Sequence, residues 1–416
     1  MTQNLSVKKN KYDFLDLMFL VLMIITSYYT RNVACQVMMV AFCGMIGIVA
    51  LLKGIDAKHT WYFFGMALFI AYGYWGANYG PELINKTISM TMVVSLVLNL
   101  VMVYAICQYI QWKDDPEAIL RVFELSIFLT AIIVLIASAD TLATGRLGKG
   151  TMMNANRLAI LSVYGIILCM YFANQSKKTK LNWFKIVFYV AIVLLTGSRK
   201  GIILIIISVF LVNLIRGGNH KIIKNVWTVG IVTLTLYLLI MNVPVLYNII
   251  GVRIENLINL LAGNSTEESS LLNRQELIEV GWEYVKQHPW VGYGLDSFKI
   301  ISDIDGSGQY HLYSHNNYVE LMFGGGIIGT VLYYVPMIGI LVGLIKNLKT
   351  HPCITYVLAI FIAKHTIEYA YVSYYERVDA YIIGIILGCL LWCRKKEVEE
   401  GEKENAINRE TFEESI

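Results

Sequence analysis

Charged residues are scarce in this chain, 15% of 416 positions against 56% hydrophobic. That balance excludes an ordinary soluble domain, where about a quarter of residues carry charge. No Gly/Ser/Pro-rich linker divides the chain, and no internal repeat is evident, which argues against the repeat-built architecture of a secondary transporter. The seven cysteines all sit in or at the ends of apolar runs and none lies in the long polar segment, so no disulfide framework is read. Cys389 and Cys393 stand one helical turn apart, a spacing that suits packing better than metal, and no zinc site is inferred. No small-residue cleavage site follows the first apolar run, Phe14 to Tyr29, so it reads as a retained span rather than a signal peptide. The net charge of +4 says little about partners.

What is present is a series of apolar runs of about 20 residues, the length that crosses roughly 30 Å of hydrocarbon. In lipid the backbone must satisfy its own hydrogen bonds, so these runs are helices. The fold class expected is all-α, a polytopic bundle of about 12 transmembrane helices. They fall at 13–30, 34–52, 61–78, 88–110, 122–139, 157–174, 181–196, 201–215, 226–242, 317–345, 353–371 and 378–393. Gly324, Gly325 and Gly326 mark a bend in the long tenth run. The integral domain is 1–396, with an outer loop 243–315 that holds an amphipathic helix, 273–288. The charged remainder, 397–416, lacks apolar periodicity and is expected to be a disordered cytoplasmic tail.

Orientation follows from Lys and Arg in the short connections. With both termini cytoplasmic, every inner connection carries positive charge, from Lys53 and Lys58 through Lys346 and Lys349 to Arg394, Lys395 and Lys396. The exceptions on the outer side are Arg146, Lys149, Arg157, Arg199, Lys200, Arg253, Arg274, Lys286 and Arg377. A ring of cations at outer helix ends suits an anionic ligand; the alternative is snorkelling to lipid phosphates.

Three sites stand out. Thr196-Gly197-Ser198-Arg199-Lys200-Gly201 joins two spans with almost no loop. It places Arg199 at a helix N-terminus, where free N–H groups already favour anions and a guanidinium fork adds donors for phosphate; a plain hairpin turn is the alternative. Asn273 and Glu276 form a capping-box pattern. That pattern puts Arg274 in a first turn, where a cation is disfavoured by about 0.3–1 kcal/mol. An anionic ligand would compensate, as would pairing with Glu276 or Glu279. Ser314 as N-cap would put His315 in the first turn of the tenth span, where the dipole keeps imidazole neutral and fit to act as a general base; His311 is a weaker candidate. Asp303-Ile304-Asp305 resembles a metal-binding Asp-x-Asp, but two acids beside Gly306 and Gly308 read better as a turn. Within the eleventh span, Lys364 and Glu368 either line a substrate cavity or pair to fix helix packing.

Three stretches resemble the O-antigen ligase and Wzy-type polymerase superfamily of bacterial membrane glycosyltransferases. They are TGSRKG at 196–201, NRQELIEVGWEYVKQHPWVGYGLDSF at 273–298 and HNNYVELMFGGGIIG at 315–329, in the family's order and spacing. Asn154-Ala155-Asn156-Arg157 resembles more weakly the family's Asn-rich entry to a span. The resemblance implies a GT-C-like membrane fold in the bacterial cytoplasmic membrane. It implies transfer of a glycan from undecaprenyl pyrophosphate to a sugar hydroxyl, inverting and without metal or other cofactor. His315 would be the base, with Arg199 and Arg274 on the pyrophosphate. Arg157, Asn156, Lys200, Asn316, Tyr318, Lys364 and Glu368 would bind substrate. The implied partners are the lipid-linked donor, the glycan acceptor and the bilayer, with a chain-length regulator and a flippase; no nucleic acid is implied. A Lys-, Ile- and Asn-rich composition leans toward a repeat-unit polymerase for capsule or O-antigen over a ligase.

Overall fold

A computed structural model describes residues 13–28, 33–54, 60–140, 145–148, 151, 153–175, 179–217, 222–262, 269–304 and 312–413. Lys149, Asp305 and His311 lie outside the described residues, as does the Asp303 side chain. Among the described residues there is no strand. All twelve expected spans are helical: α1 (Phe14–Tyr28), α2 (Val33–Lys53), α3 (Thr60–Tyr79), α4 (Lys86–Lys113), α5 (Pro116–Ala137), α6 (Ala155–Gln175), α7 (Thr179–Leu195), α8 (Arg199–Gly217) and α9 (Ile222–Asn242) precede the polar insertion. The insertion holds α10 (Pro244–Leu246), a π-helical turn, α11 (Val252–Leu261), α12 (Ser269–Gln287) and α13 (Phe298–Ile304). The bundle then closes with α14 (Asn317–Lys346), α15 (Pro352–Ile367) and α16 (Arg377–Glu413). Seven of these helices are by themselves long and apolar enough to cross a membrane. The chain is a multi-pass membrane protein.

Packing follows small residues and buried polar side chains rather than burial of apolar surface alone, as expected where lipid is as apolar as leucine. α16 lies along α4, with Gly384 against Ile106 and Gly388 against Ile110. Gln111 Nε2 donates to the Gly388 carbonyl at 3.2 Å across the same seam. α3 lies along α14, α8 packs on α6 and α15, and α12 rests on α14.

Two expectations are corrected here. α16 does not stop at the membrane but runs to Glu413, through most of the segment expected to be a disordered tail. An apolar face is not needed to extend a helix out of the bundle when Glu and Lys dominate, since both are good helix formers and pair along the surface; Lys396 and Glu399 do so at 3.1 Å. The amphipathic helix α12 starts at Ser269, not at Asn273. Arg274 therefore sits in its second turn, and the first-turn dipole penalty does not apply to it.

The tenth span bends where its glycines stand. Gly326 takes φ 61°, ψ −166° inside α14, a conformation essentially restricted to glycine. The break receives the 289–294 turn: Ile327 N–H donates to Pro289 O at 2.8 Å, and Tyr293 and Gly294 N–H donate to Phe323 O and Gly324 O at 2.8 and 2.9 Å. Contact is so close that a Cβ on Gly326 would lie 2.3 Å from the Trp290 backbone. Tyr72 from α3 seals the joint, its hydroxyl reaching Val291 O and Gly325 O at 3.1 and 2.9 Å. The polar insertion is thus locked by backbone bonds to the helix that follows His315.

Candidate active site

The cation-rich turn comes first in the chain. Ser198 is buried and its Oγ accepts from Gly201 N–H at 3.4 Å, capping α8. Arg199 and Lys200 then project from the first turn of α8. Arg199 Nη1 donates to the Arg253 carbonyl at 2.8 Å, and Arg253 Nη1 donates back to the Gly197 carbonyl at 3.1 Å. This reciprocal lock ties the α7–α8 turn to α11. Arg146 completes the corner through Thr196 O at 2.7 Å and Asn156 Oδ1 at 3.3 Å. Lys200 donates to the Ala370 carbonyl, from the short segment between α15 and α16.

His315 comes later in the chain, just before α14. The helix cap is not Ser314 but Asn316, whose Oδ1 accepts from Tyr318 and Val319 N–H at 2.9 and 3.2 Å. His315 therefore precedes the helix and adopts φ 57°, the left-handed region. For a non-glycine residue that costs roughly 1–2 kcal/mol, and neighbours impose it. Ser314 Oγ bonds the Asn316 carbonyl at 2.8 Å and N–H at 3.3 Å, and the buried Glu320 carboxylate accepts from Ser314 N–H at 2.8 Å. Tyr313 lies against the imidazole with ring centroids 4.2 Å apart.

Electrostatics join His315 to the cations. Burial, then the positive charges of Arg274 and Lys200, push the His315 imidazole down to about 3. The ring is neutral at pH 7 as expected, but the cause is burial beside cations rather than the helix dipole. Arg199 and Arg274 both act on the Lys200 ammonium, so the three cations share one field. The structure thus places Arg274 and Lys200 near enough to act on His315, and Arg199 near enough to act on Lys200.

The other expected binding residues divide. Arg157 faces the same region but is paired, with Glu376 at 2.5 Å and the Tyr371 hydroxyl at 3.4 Å. Asn156 holds Arg146. The Asn316 side chain is spent on the cap and is 4% exposed. Tyr318 points away from the imidazole to stack on Tyr334, with centroids 5.5 Å apart. Lys364 and Glu368 meet at 2.8 Å with 1% and 0% of their side chains exposed. Ser373 and Tyr334 complete the Glu368 shell at 2.6 and 2.9 Å. Asn317 Oδ1 extends this network by accepting from Ser373 and Tyr374 N–H at 2.9 and 3.0 Å. These last residues hold the 371–376 segment against the His315 turn.

Sequence reading missed Tyr313, Glu320, Tyr371 and Glu376. Glu320 could have been suspected as an acid one turn into an apolar span; the others carry no local signal. Glu376 also borders a cavity of about 380 Å³ whose polar lining includes Gln36, Thr91, Asp296, Lys299 and Arg377.

Residues 184–334 match the family described as O-Antigen ligase. That stretch is similar to an O-antigen ligase domain. The matched stretch takes in Arg199, Lys200, Arg274 and His315, and with them the Gly326 joint, while Arg157, Lys364, Glu368 and Glu376 lie outside it. The resemblance to the O-antigen ligase and Wzy-type superfamily therefore holds over the stretch that carries the α7–α8 turn, α12 and His315. No curated protein matches the chain.

Proposed function

We propose that this protein polymerises oligosaccharide repeat units carried on undecaprenyl pyrophosphate, at the outer face of the cytoplasmic membrane. The single observation that carries the reading is a half-buried imidazole, fixed in a left-handed turn against Tyr313, in the field of Arg274 and Lys200. In this reading His315 takes the proton from the acceptor hydroxyl as that oxygen attacks the anomeric carbon of the donor sugar. The bond to the pyrophosphate oxygen breaks on the opposite face, which inverts the centre. Arg199, Lys200 and Arg274 receive the charge that builds on the leaving diphosphate. Fixed cations matter most where charge develops and water is excluded, and guanidinium groups are permanently charged and bidentate. They supply what a divalent ion supplies in other transferases, so the rate is expected to be the same with Mg²⁺, Mn²⁺ or neither.

The acceptor has room in the cavity beside Glu376, whose hydroxyl, amide and charged lining suits saccharide hydroxyls. A ligase moving a finished glycan to another acceptor is the second reading, favoured by the description of the matched family. Purified protein given lipid-linked repeat units discriminates: a product ladder is expected, whereas a single transfer to an added acceptor would support the ligase. His315→Ala should lose transfer by about 10²-fold or more, the usual scale of general-base catalysis, while still binding donor. Arg274→Ala and Arg199→Ala should lose both. Normal ladders from these variants would reject the site.

A further inference from the structure

At the other end of α14 a second cluster forms. α14 is 30 residues long, about 45 Å at 1.5 Å per residue, so this cluster is remote from His315. His351 ends the α14–α15 connection, Cys353 lies in the first turn of α15, and Cys393 comes from α16. Their ligand atoms, one imidazole nitrogen and two sulfurs, all lie within 4.8 Å of one another. His351 Nδ1 is 3.0 Å from Cys353 Sγ. Both thiols are buried, at 0% and 2% exposure, while the imidazole is half-buried with its ring edge-on to Trp392 at 5.3 Å.

We propose that His351, Cys353 and Cys393 form a binding site for a thiophilic cation, Zn²⁺ above all. Tetrahedral zinc with sulfur at about 2.3 Å and nitrogen at about 2.05 Å needs donors about 3.6–3.8 Å apart. His351 Nδ1 and Cys353 Sγ stand 3.0 Å apart and no two donors are farther apart than 4.8 Å, so shifts of about an ångström would reach that range. The donor set is the right kind: thiolate and imidazole select zinc over the hard oxygen-seeking ions. Two donors lie on one helix start and the third on another helix, so an ion would staple α15 to α16. The half-buried ring of His351 leaves an approach. Binding one Zn²⁺ releases the two thiol protons, leaving a neutral ion–dithiolate pair.

The alternatives are two hydrogen-bonded thiols with no ion, or a Cys353–Cys393 disulfide. Full-length protein purified in detergent under reducing, metal-free conditions distinguishes them. Zinc titration should give one ion per chain by elemental analysis and shield two thiols from alkylation. Co²⁺ in its place should give a thiolate-to-metal charge-transfer band in the near ultraviolet. Cys353→Ser and Cys393→Ser should each weaken zinc binding at least tenfold and abolish the band, while Cys107→Ser, a buried thiol elsewhere, keeps both. His351→Ala, which leaves both thiols, should lower affinity and alter the visible cobalt spectrum. A charge-transfer band that survives in the Cys353→Ser/Cys393→Ser double variant overturns the site, as does the absence of zinc from the wild-type chain or a disulfide isolated under reducing conditions. None of these readouts is transferase activity, so the result is independent of the outer site.

Discussion

At the scale of single residues, the proposed chemistry turns on His315. A base whose conjugate acid has been pushed down to about 3 is always free to accept a proton but accepts it weakly. Part of that depression comes from Arg274 and Lys200, and an anionic diphosphate bound to them would cancel it. Donor binding and proton affinity at His315 are then reciprocally linked, so the base strengthens once the leaving group is in place. The sign is fixed. Protonation of His315 removes activity, so the acid limb of kcat/KM, which reports the free enzyme, should lie at lower pH than that of kcat, which reports the complex. Arg274→Gln removes a like charge and should move the acid limb of kcat/KM upward in whatever transfer remains. Coincident limbs in the wild type, or an unmoved limb in the variant, would remove this coupling.

At the scale of elements, the spans and the bend were readable because each has a local cause. Apolar runs long enough for the bilayer must be helical, and three successive glycines in one of them allowed the Gly326 break. What was not readable depends on partners distant in sequence. The cap of α14 fell to Asn316 because Ser314 was drawn into a turn with the Asn316 backbone. Glu376 gained meaning only from Arg157, more than two hundred positions away. Lys364 and Glu368 were legible as a pair but not as sealed from solvent. Breaking such a buried pair from one side costs about 3–5 kcal/mol, whereas replacing both partners by apolar groups is often neutral. Lys364→Ala is therefore expected to lower thermal stability and Lys364→Met/Glu368→Leu to recover most of it. Because Ser373 and Asn317 connect the pair to the His315 turn, transfer should recover with stability in the double variant. Recovered stability without recovered transfer would instead return the pair to substrate handling.

At the scale of the whole molecule, charge is sorted between two faces. His315 lies just before α14 and the His351 cluster beyond its end, so one topology would assign both. By the positive-inside rule, Lys and Arg in the remaining connections would put the termini and the 346–351 turn in the cytoplasm and the α9–α14 insertion outside. That assignment suits each cluster. The lipid-linked glycan of the proposed reaction would be reached from the outer face, and the cytosol would keep Cys353 and Cys393 reduced. The cations near His315 oppose the positive-inside trend, and a charge sum over all connections would blur the assignment. Short connections set topology, however, while long polar insertions translocate largely regardless of charge. Reporter fusions after Ala262 and after Thr350 test the arrangement directly. A periplasmic-type enzyme such as alkaline phosphatase should be active after Ala262 and silent after Thr350, and a cytoplasmic fluorescent reporter should give the inverse. The reverse pattern would put His315 in the cytosol, out of reach of an exported lipid-linked donor, and would leave the two thiols in the compartment that oxidises them. Both proposals would then lose their setting, although the contacts within each cluster would be unchanged.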